Sequence, residues 1–330
     1  MRTLMTAITL CGLALTCAAE DGPAVQGQTE VFFSSISDPQ ANLLYRELRN
    51  KAAQLGMTLA LVDGSAKADG LAALCTDPAQ KGQPLLVYTT DPQSAQDAAR
   101  QCGEGGRPLI FVGREPGGEL FARYSHTWFV GPDRREAGAM QAQLLSRYIS
   151  TAPNWDRNGN GTLDYVLLTG EIADPETQIR TKSFKASLRK AQVKALEVGS
   201  YGCDWGRDQA EMTVLRLMKS TQGEQVEAIV CNSDTMAAGA ADALSALGYN
   251  APGGRYVAVV GIDGIAAAQK RIKQGVMYGT VRHDAGSYAE VALRLARQLA
   301  AGEKPSLEEL GYTPGRDRDI RIPYLLSTAP

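Results

Sequence analysis

The residues Asp156-Arg-Asn-Gly-Asn-Gly-Thr-Leu-Asp164 have the types and the spacing to wrap a hard cation. Side-chain oxygens fall at loop positions 1, 3, 5 and 9, which are Asp156, Asn158, Asn160 and Asp164, and the carbonyl of Thr162 falls at position 7. Gly161 holds position 6, where the chain must turn sharply. Ca²⁺ takes roughly 6–8 oxygens in such a wrap, which an EF-hand closes with a bidentate Glu at about position 12. Here that position is Leu167, inside an apolar run (165–168) that reads as a buried strand and not a helix. The loop therefore feeds a strand, and its closing carboxylate must come from elsewhere in the chain. The alternative is a solvated Asp/Asn/Gly turn, although turn chemistry alone does not require this spacing.

A second group of residues is defined by position. In open α/β sheets ligands bind beyond the carboxyl ends of the strands. The loops at those ends carry Asp38, Gly113-Arg114-Glu115, Asp174 and Glu176 with Arg180 one turn on, Trp205, Ser233-Asp234, Asp263 and His283-Asp284. Each acidic residue taken alone reads as well as a helix N-cap. Six loops ending in polar or charged groups are harder to explain by capping alone.

The elements that position these loops follow from hydrophobic periodicity. Strands are expected at 31–33, 57–62, 84–88 and 108–112, with helices at 39–55 and 92–101 between them. The rhythm pauses over 114–133 and restarts with a helix at 135–149. Strands follow at 165–169, 195–200, 226–231, 256–261 and 277–281, alternating with helices at 176–193, 206–219, 234–247, 264–274 and 284–301. A last short strand is expected at 320–324. Such alternation predicts an α/β chain with parallel sheets, arranged as two similar units in tandem. The chain is expected to cross between them near 131–134, and a C-terminal helix returning to the first unit needs a second crossing near 282–284.

The 330 residues suffice for two ordinary domains, and 44% apolar with 21% charged residues is the balance of a globular protein. A net charge of −2 gives no electrostatic reason to expect nucleic acid. Residues 1–19 read as an export signal, with Arg2, an apolar stretch from Leu4 to Leu15, and the small residues Cys17-Ala18-Ala19. Leu15-Thr16-Cys17 is also a loose lipobox, so cleavage to a free terminus and lipidation at Cys17 both stay open. No later run reaches the ~18 apolar residues of a membrane-spanning helix. Beyond this segment, Cys75, Cys102, Cys203 and Cys231 fit no zinc spacing. Cys75 and Cys102 fall late in consecutive helices, so either a bridge or four buried thiols is compatible with export.

From about Val31 to Tyr324 the chain resembles the periplasmic D-galactose/D-glucose-binding proteins, within the type I periplasmic binding proteins of ABC importers. The likeness is carried by Trp128-Phe-Val-Gly131, by Trp155 through Gly161, by Tyr165-Val-Leu-Leu-Thr-Gly-Glu171, by Asn232-Ser-Asp-Thr-Met-Ala-Ala-Gly-Ala240 and by Val260-Gly-Ile-Asp263. The resemblance implies two doubly wound lobes joined by several crossovers: 29–131 with 284–316, and 132–283 with 317–330. It implies a structural Ca²⁺, since a calcium loop at this place marks the glucose/galactose branch. It also implies the missing ligand, a Glu opening a later strand, which here is Glu227. Asp38, Arg180 and Asp263 stand where the family grips sugar hydroxyls. Carboxylates accept from vicinal hydroxyls, and an Arg fork donates to the ring oxygen and its neighbours.

Elsewhere the chain departs from the pattern. The family's His-Pro-Asp is Asp174-Pro175-Glu176; three Asn positions are Gly113, Ser233 and His283; and the first stacking Phe is Gln40. The second stacking aromatic, a Trp, falls at Cys203 in the simplest register, with Trp205 two residues on. Trp155 reads as packing. The persistence of Asp38, Arg180 and Asp263 together favours glucose or galactose, whereas the added acids Asp174 and Glu176 suit a differently hydroxylated or a cationic ligand. The implied function is capture of a small sugar between lobes and delivery to a membrane ABC permease, by a monomer. The same residues would serve presentation to a chemoreceptor. A repressor of this fold would need a helix-turn-helix before Val31, where the signal segment stands. An enzyme reading finds no nucleophile–base set, and only Asp174 and Glu176 resemble a glycosidase pair.

Overall fold

The computed structural model describes residues 28–66, 70–117, 120–306, 308, 310 and 318–329. The expected signal segment and Cys17 lie outside them. In chain order the elements of the first half are β1 Gln28–Phe33, α1 Pro39–Gln54, β2 Thr58–Asp63, α2 Gly70–Thr76, β3 Leu85–Tyr88, α3 Pro92–Glu104, β4 Leu109–Val112, α4 Leu120–Arg123 and β5 Thr127–Gly131. They continue with α5 Arg134–Thr151, β6 Leu163–Thr169, α6 Pro175–Lys190, β7 Ala195–Gly202, α7 Arg207–Leu217, β8 Ala228–Cys231, α8 Asp234–Ala246, β9 Ala258–Asp263 and α9 Ala266–Lys273. The chain ends with β10 Gly279–Arg282, α10 Ala285–Ala300, β11 Asp319–Arg321 and β12 Leu325–Thr328.

These strands form two six-stranded sheets of matching order, β2-β1-β3-β4-β5-β11 and β7-β6-β8-β9-β10-β12. All pairings are parallel except β12, which runs antiparallel to β10. In both sheets the order reverses beside the unit's first strand, at β1/β3 and at β6/β8, which is the switch point where a doubly wound sheet opens a crevice. Helices cover both faces, so strands such as Leu85–Tyr88, Leu109–Val112 and Ala228–Cys231 are buried along their whole length. Alternation along β1 sends Val31 and Phe33 to one core, with α1 and α10, and Phe32 to the other, with α2 and α3.

Sequence and structure part company in three places. The pause at 114–133 contains β5, a fully buried strand masked by the Gly/Pro-rich segment before it. The single terminal strand is two, with a crossing between them at 322–324. The expected assignment of 317–330 wholly to the second lobe therefore fails: β11 pairs with Phe129–Gly131 of the first sheet, and only β12 joins the second. The physical reason is apolar burial, since Ile320 and Ile322 pack in the first unit's core and Tyr324 in the second's.

Cys75 and Cys102 are joined as a disulfide between α2 and α3, whereas Cys203 and Cys231 are buried thiols. Among the described residues no helix is long and apolar enough to cross a membrane.

Candidate ligand cleft and metal loop

The carboxyl ends of the two switch points face one another across a cleft of about 660 Å³. Asp38, Gln40, Asp174, Glu176, Arg180, Trp205, Ser233 and Asp263 all line it. Gly113 and His283 instead line a small recess beside it at the crossings, together with Gln40, Glu176, Arg180 and Tyr324. Gly113 has a φ of +78°, and a Cβ there would lie 3.1 Å from Leu44, so this position offers backbone only. Cys203 is buried in the second core and does not reach the cleft, whereas Trp205 does. Trp155 packs against the core, as expected.

Capping and lining turn out to be compatible for most loop residues. Asp38 caps α1 by accepting from the Ala41 N–H at 2.7 Å, and Asp174 caps α6 by accepting from Glu176 at 2.8 Å. Ser233 caps α8 through Met236. Pro at the first helical position of α1 and α6 supplies the preset φ that such starts favour. Asp263 is different. It ends β9, caps nothing, and has a φ of +122°, a conformation that costs a non-glycine residue about 1–3 kcal/mol.

Arg180 is the electrostatic centre of the second unit. It is buried; Nε donates to Glu176 Oε1 at 2.9 Å, and Nη1 donates to the Asn232 carbonyl at 2.6 Å and to Asp263 Oδ1 at 3.4 Å. Its guanidinium also lies 5.9 Å from the Trp205 ring centre. Burial alone would pull its pKa down, but Glu176 and Asp263 outweigh burial and hold the guanidinium firmly charged. The Trp205 ring rests on Gly170, where a Cβ would sit 2.1 Å from it. Asp38 of the first unit keeps contact with water, yet the cleft walls partly desolvate its carboxyl. That desolvation, and next the facing Asp263, raise its pKa above the ordinary range.

Several lining residues were not legible beforehand. Tyr88 ends β3 and Thr89 and Asp91 follow it, and the strand-end rule that selects the other loops applies equally to this one. Asp91 is the cap of α3, with hydrogen bonds from Ser94 and Gln93. Polar side chains also meet between the units. Arg114 lies 3.6 Å from Asp174, Arg134 lies 3.7 Å from Glu115, and the Gln40 amide lies 2.8 Å from Nε2 of His283. Nothing local in the sequence pairs these groups.

The candidate metal loop lies well away from this cleft, between α5 and β6. Gly159 and Gly161 have φ of +72° and +69°, which lets the chain coil around its own side chains. The Asp156 carboxylate accepts from the N–H groups of Asn160 and Gly161, Asn158 from Asn160, and Asn160 from Thr162. Glu227, just ahead of β8, is buried and accepts from the N–H groups of Arg157 at 2.8 Å and Asp164 at 3.0 Å. Burial pushes its carboxyl pKa up. Asp164 is buried with Oδ1 unpartnered. An all-oxygen donor set with an orphaned buried carboxylate oxygen fits Ca²⁺ by type. Among the described residues, however, no three His, Cys, Asp or Glu side chains gather into a metal-binding group.

Residues 30–304 match the model of the periplasmic binding protein domain family. The chain is 26% identical over 304 residues to the D-galactose/methyl-galactoside binding periplasmic protein MglB of Haemophilus influenzae, covering 92% of this chain and 89% of that one. Its fold is shared with an ABC transporter periplasmic solute binding protein from Actinobacillus succinogenes with bound D-allose. That match has a TM-score of 0.74 at 17% identity and covers 92% of this chain and 97% of that one. It is shared also with an ABC transporter solute binding protein from Bacillus halodurans with bound myo-inositol. Here the TM-score is 0.71 at 22% identity, with 93% of this chain and 96% of that one covered. With two doubly wound sheets facing across a polar cleft, and a family match over most of its length, the chain belongs to the periplasmic binding protein domain family.

Proposed function

We propose that this protein is an exported solute-binding protein that closes its two units on a small sugar, D-galactose or D-glucose first, and delivers it to an ABC permease. The observation that carries this reading is the meeting of Asp38 from one unit with Arg180 and Asp263 from the other across a single cleft. A ligand that touches both units only when they are together shifts the population toward the closed form. Hydroxyls donate to Asp38 and Asp263, Arg180 donates to ring or hydroxyl oxygens, and the Trp205 face covers apolar C–H groups. The closed form would then dock as a monomer, on a permease or on a chemoreceptor.

Within the same proposal, Asp156, Asn158, Asn160, the Thr162 carbonyl, Asp164 and Glu227 would hold a structural Ca²⁺. Bound there, the ion would tie the α5–β6 loop to the start of β8. The likeness to MglB supports the galactose assignment, and the hard-oxygen donor set supports calcium. A different sugar or polyol is the second reading. It is favoured by the acid-rich lining that Asp174 and Glu176 add, and by relatives of the same fold bound to D-allose and myo-inositol.

Calorimetric titration of the calcium-loaded protein with D-glucose and D-galactose tests the assignment. Micromolar or tighter binding that weakens by about one to two orders of magnitude in Asp263→Ala is the expected result. No heat from folded protein with either sugar would sink the hexose reading and direct the search to other polyols.

A further inference from the structure

We infer that Asp234 is a positioning residue of the ligand cleft: it does not touch the cleft, and it holds the turn that presents the Asp263 carboxylate to Arg180 and the ligand. The inference rests on the reading of Asp263 as a ligand-gripping carboxylate.

Asp234 opens α8 and is fully buried, outside the residues that line the cleft. Helix capping does not explain it, because Ser233 caps α8. Its carboxylate reaches across to other elements instead. Oδ2 accepts from the backbone N–H of Gly264 at 2.7 Å and of Ile265 at 3.0 Å. Oδ1 accepts from the Thr280 hydroxyl on β10 at 2.6 Å. One side chain therefore ties α8, the β9–α9 turn and β10 together. The two amides it binds directly follow Asp263. That residue has a φ of +122° and Gly264 a φ of +79°, so the chain makes two successive positive-φ steps where an aspartate disfavours the first. Helix α9, which this turn begins, has no side-chain cap of its own, and Asp234 supplies the acceptor from another element. The sequence also makes room for it, since a Cβ on Gly261 would sit 2.1 Å from Asp234 Oδ1. Burying a carboxylate is costly unless its oxygens are satisfied. Here they are satisfied by the groups that fix the conformation of Asp263.

A merely structural staple and a positioning residue differ in how they couple to Asp263. The test is D-galactose titration of the calcium-loaded full chain as wild type, Asp234→Ala, Asp263→Ala and the double variant. Affinity should fall roughly tenfold or more in Asp234→Ala, and that loss should vanish in the Asp263→Ala background. Asp234→Asn keeps an acceptor oxygen for both amides and should restore affinity to within about threefold of wild type. Equal losses in both backgrounds, unchanged affinity in folded Asp234→Ala, or failure of Asn to restore binding would each overturn the inference.

A second measurement needs no ligand. Gly261→Ala should displace the Asp234 carboxylate and speed hydrogen exchange of the Gly264 and Ile265 amides about tenfold, with Val259 and Val260 unchanged. Unaltered exchange at Gly264 and Ile265 would overturn the proposal even if Asp234→Ala fails to fold. A wild-type protein that ignores D-galactose would sink only the galactose reading and leave the exchange experiment to decide this one.

Discussion

The two units share a strand order but differ in how they are fastened and in what they give the cleft. The first is cross-linked by the Cys75–Cys102 disulfide between α2 and α3. In the second, Cys203 and Cys231 are free thiols, and the oxygen-rich loop meets Glu227. The asymmetry continues at the cleft. The first unit lines it with Asp38, Gln40, Tyr88, Thr89, Asp91 and Arg114, whereas the second lines it with Asp174, Glu176, Arg180, Trp205, Ser233 and Asp263. One architecture thus carries unrelated local chemistries in its two halves, and the two present different groups to the cleft. The second unit brings a buried, preformed Arg180–Asp263–Glu176 cluster to the cleft, whereas Asp38 of the first unit is exposed.

The sharpest way to break this comparison is to remove metal. Under the calcium proposal, chelation or Glu227→Gln should lower stability by up to about 4 kcal/mol where free calcium stands far above the site's Kd. Thermal unfolding with and without chelator would show this as a lower Tm. Hydrogen exchange should localise the loss to β6 and β8, and a uniform change across both units, or none, would remove the asymmetry. Next in size is the disulfide. A Cys75→Ser/Cys102→Ser double variant should lose about 2–4 kcal/mol, read by denaturant unfolding, with the loss confined to the first unit and calcium response unaltered.

The cleft comes third. Deleting a hydrogen bond to a charged group costs about 1.5–3 kcal/mol, so Asp263→Ala should weaken D-galactose binding by one to two orders of magnitude. Asp38→Ala should cost less, because its carboxylate keeps some contact with water. Equal losses in a calorimetric titration would remove this difference between the two units. The same carboxylate sharpens the comparison through pH. Asp38 accepts hydroxyls only when ionised, and its pKa is raised, so affinity should begin to fall at a higher pH than an ordinary aspartate would cause. In Asp38→Asn that part of the fall should disappear. The smallest effect belongs to the Arg114–Asp174 pair at the lip, 3.6 Å apart and partly exposed. Arg114→Ala should change affinity by less than about 1 kcal/mol and act mainly on how readily the ligand-free units open, measurable by small-angle scattering.

Legibility tracked locality. The α/β alternation was readable because each helix and strand carries its own period. The nine-residue loop was readable because its oxygens are set by spacing within one turn of chain. Glu227 was not readable from spacing at all, since it is 63 residues from Asp164, and it was found only through resemblance. Strand β5 escaped notice because the Gly/Pro-rich residues before it read as a long loop. Asp38, Arg180 and Asp263 were found as strand-end residues, but that rule could not say which would also cap helices. In the sequence Asp234 reads as one more loop acid. Only the fold shows it binding amides 30 and 31 residues away.

By itself the sequence determined the element rhythm, the two-unit plan, the candidate loop and the residue types available to a polar cleft, because these depend on periods and spacings within about one element. The tertiary structure decided which sheet receives β11, which cysteines pair, that Trp205 and not Cys203 faces the cleft, and that Gly113 and His283 sit beside it. Those outcomes rest on packing between segments far apart in the chain, where burial of apolar surface selects the partner and no local pattern records the choice.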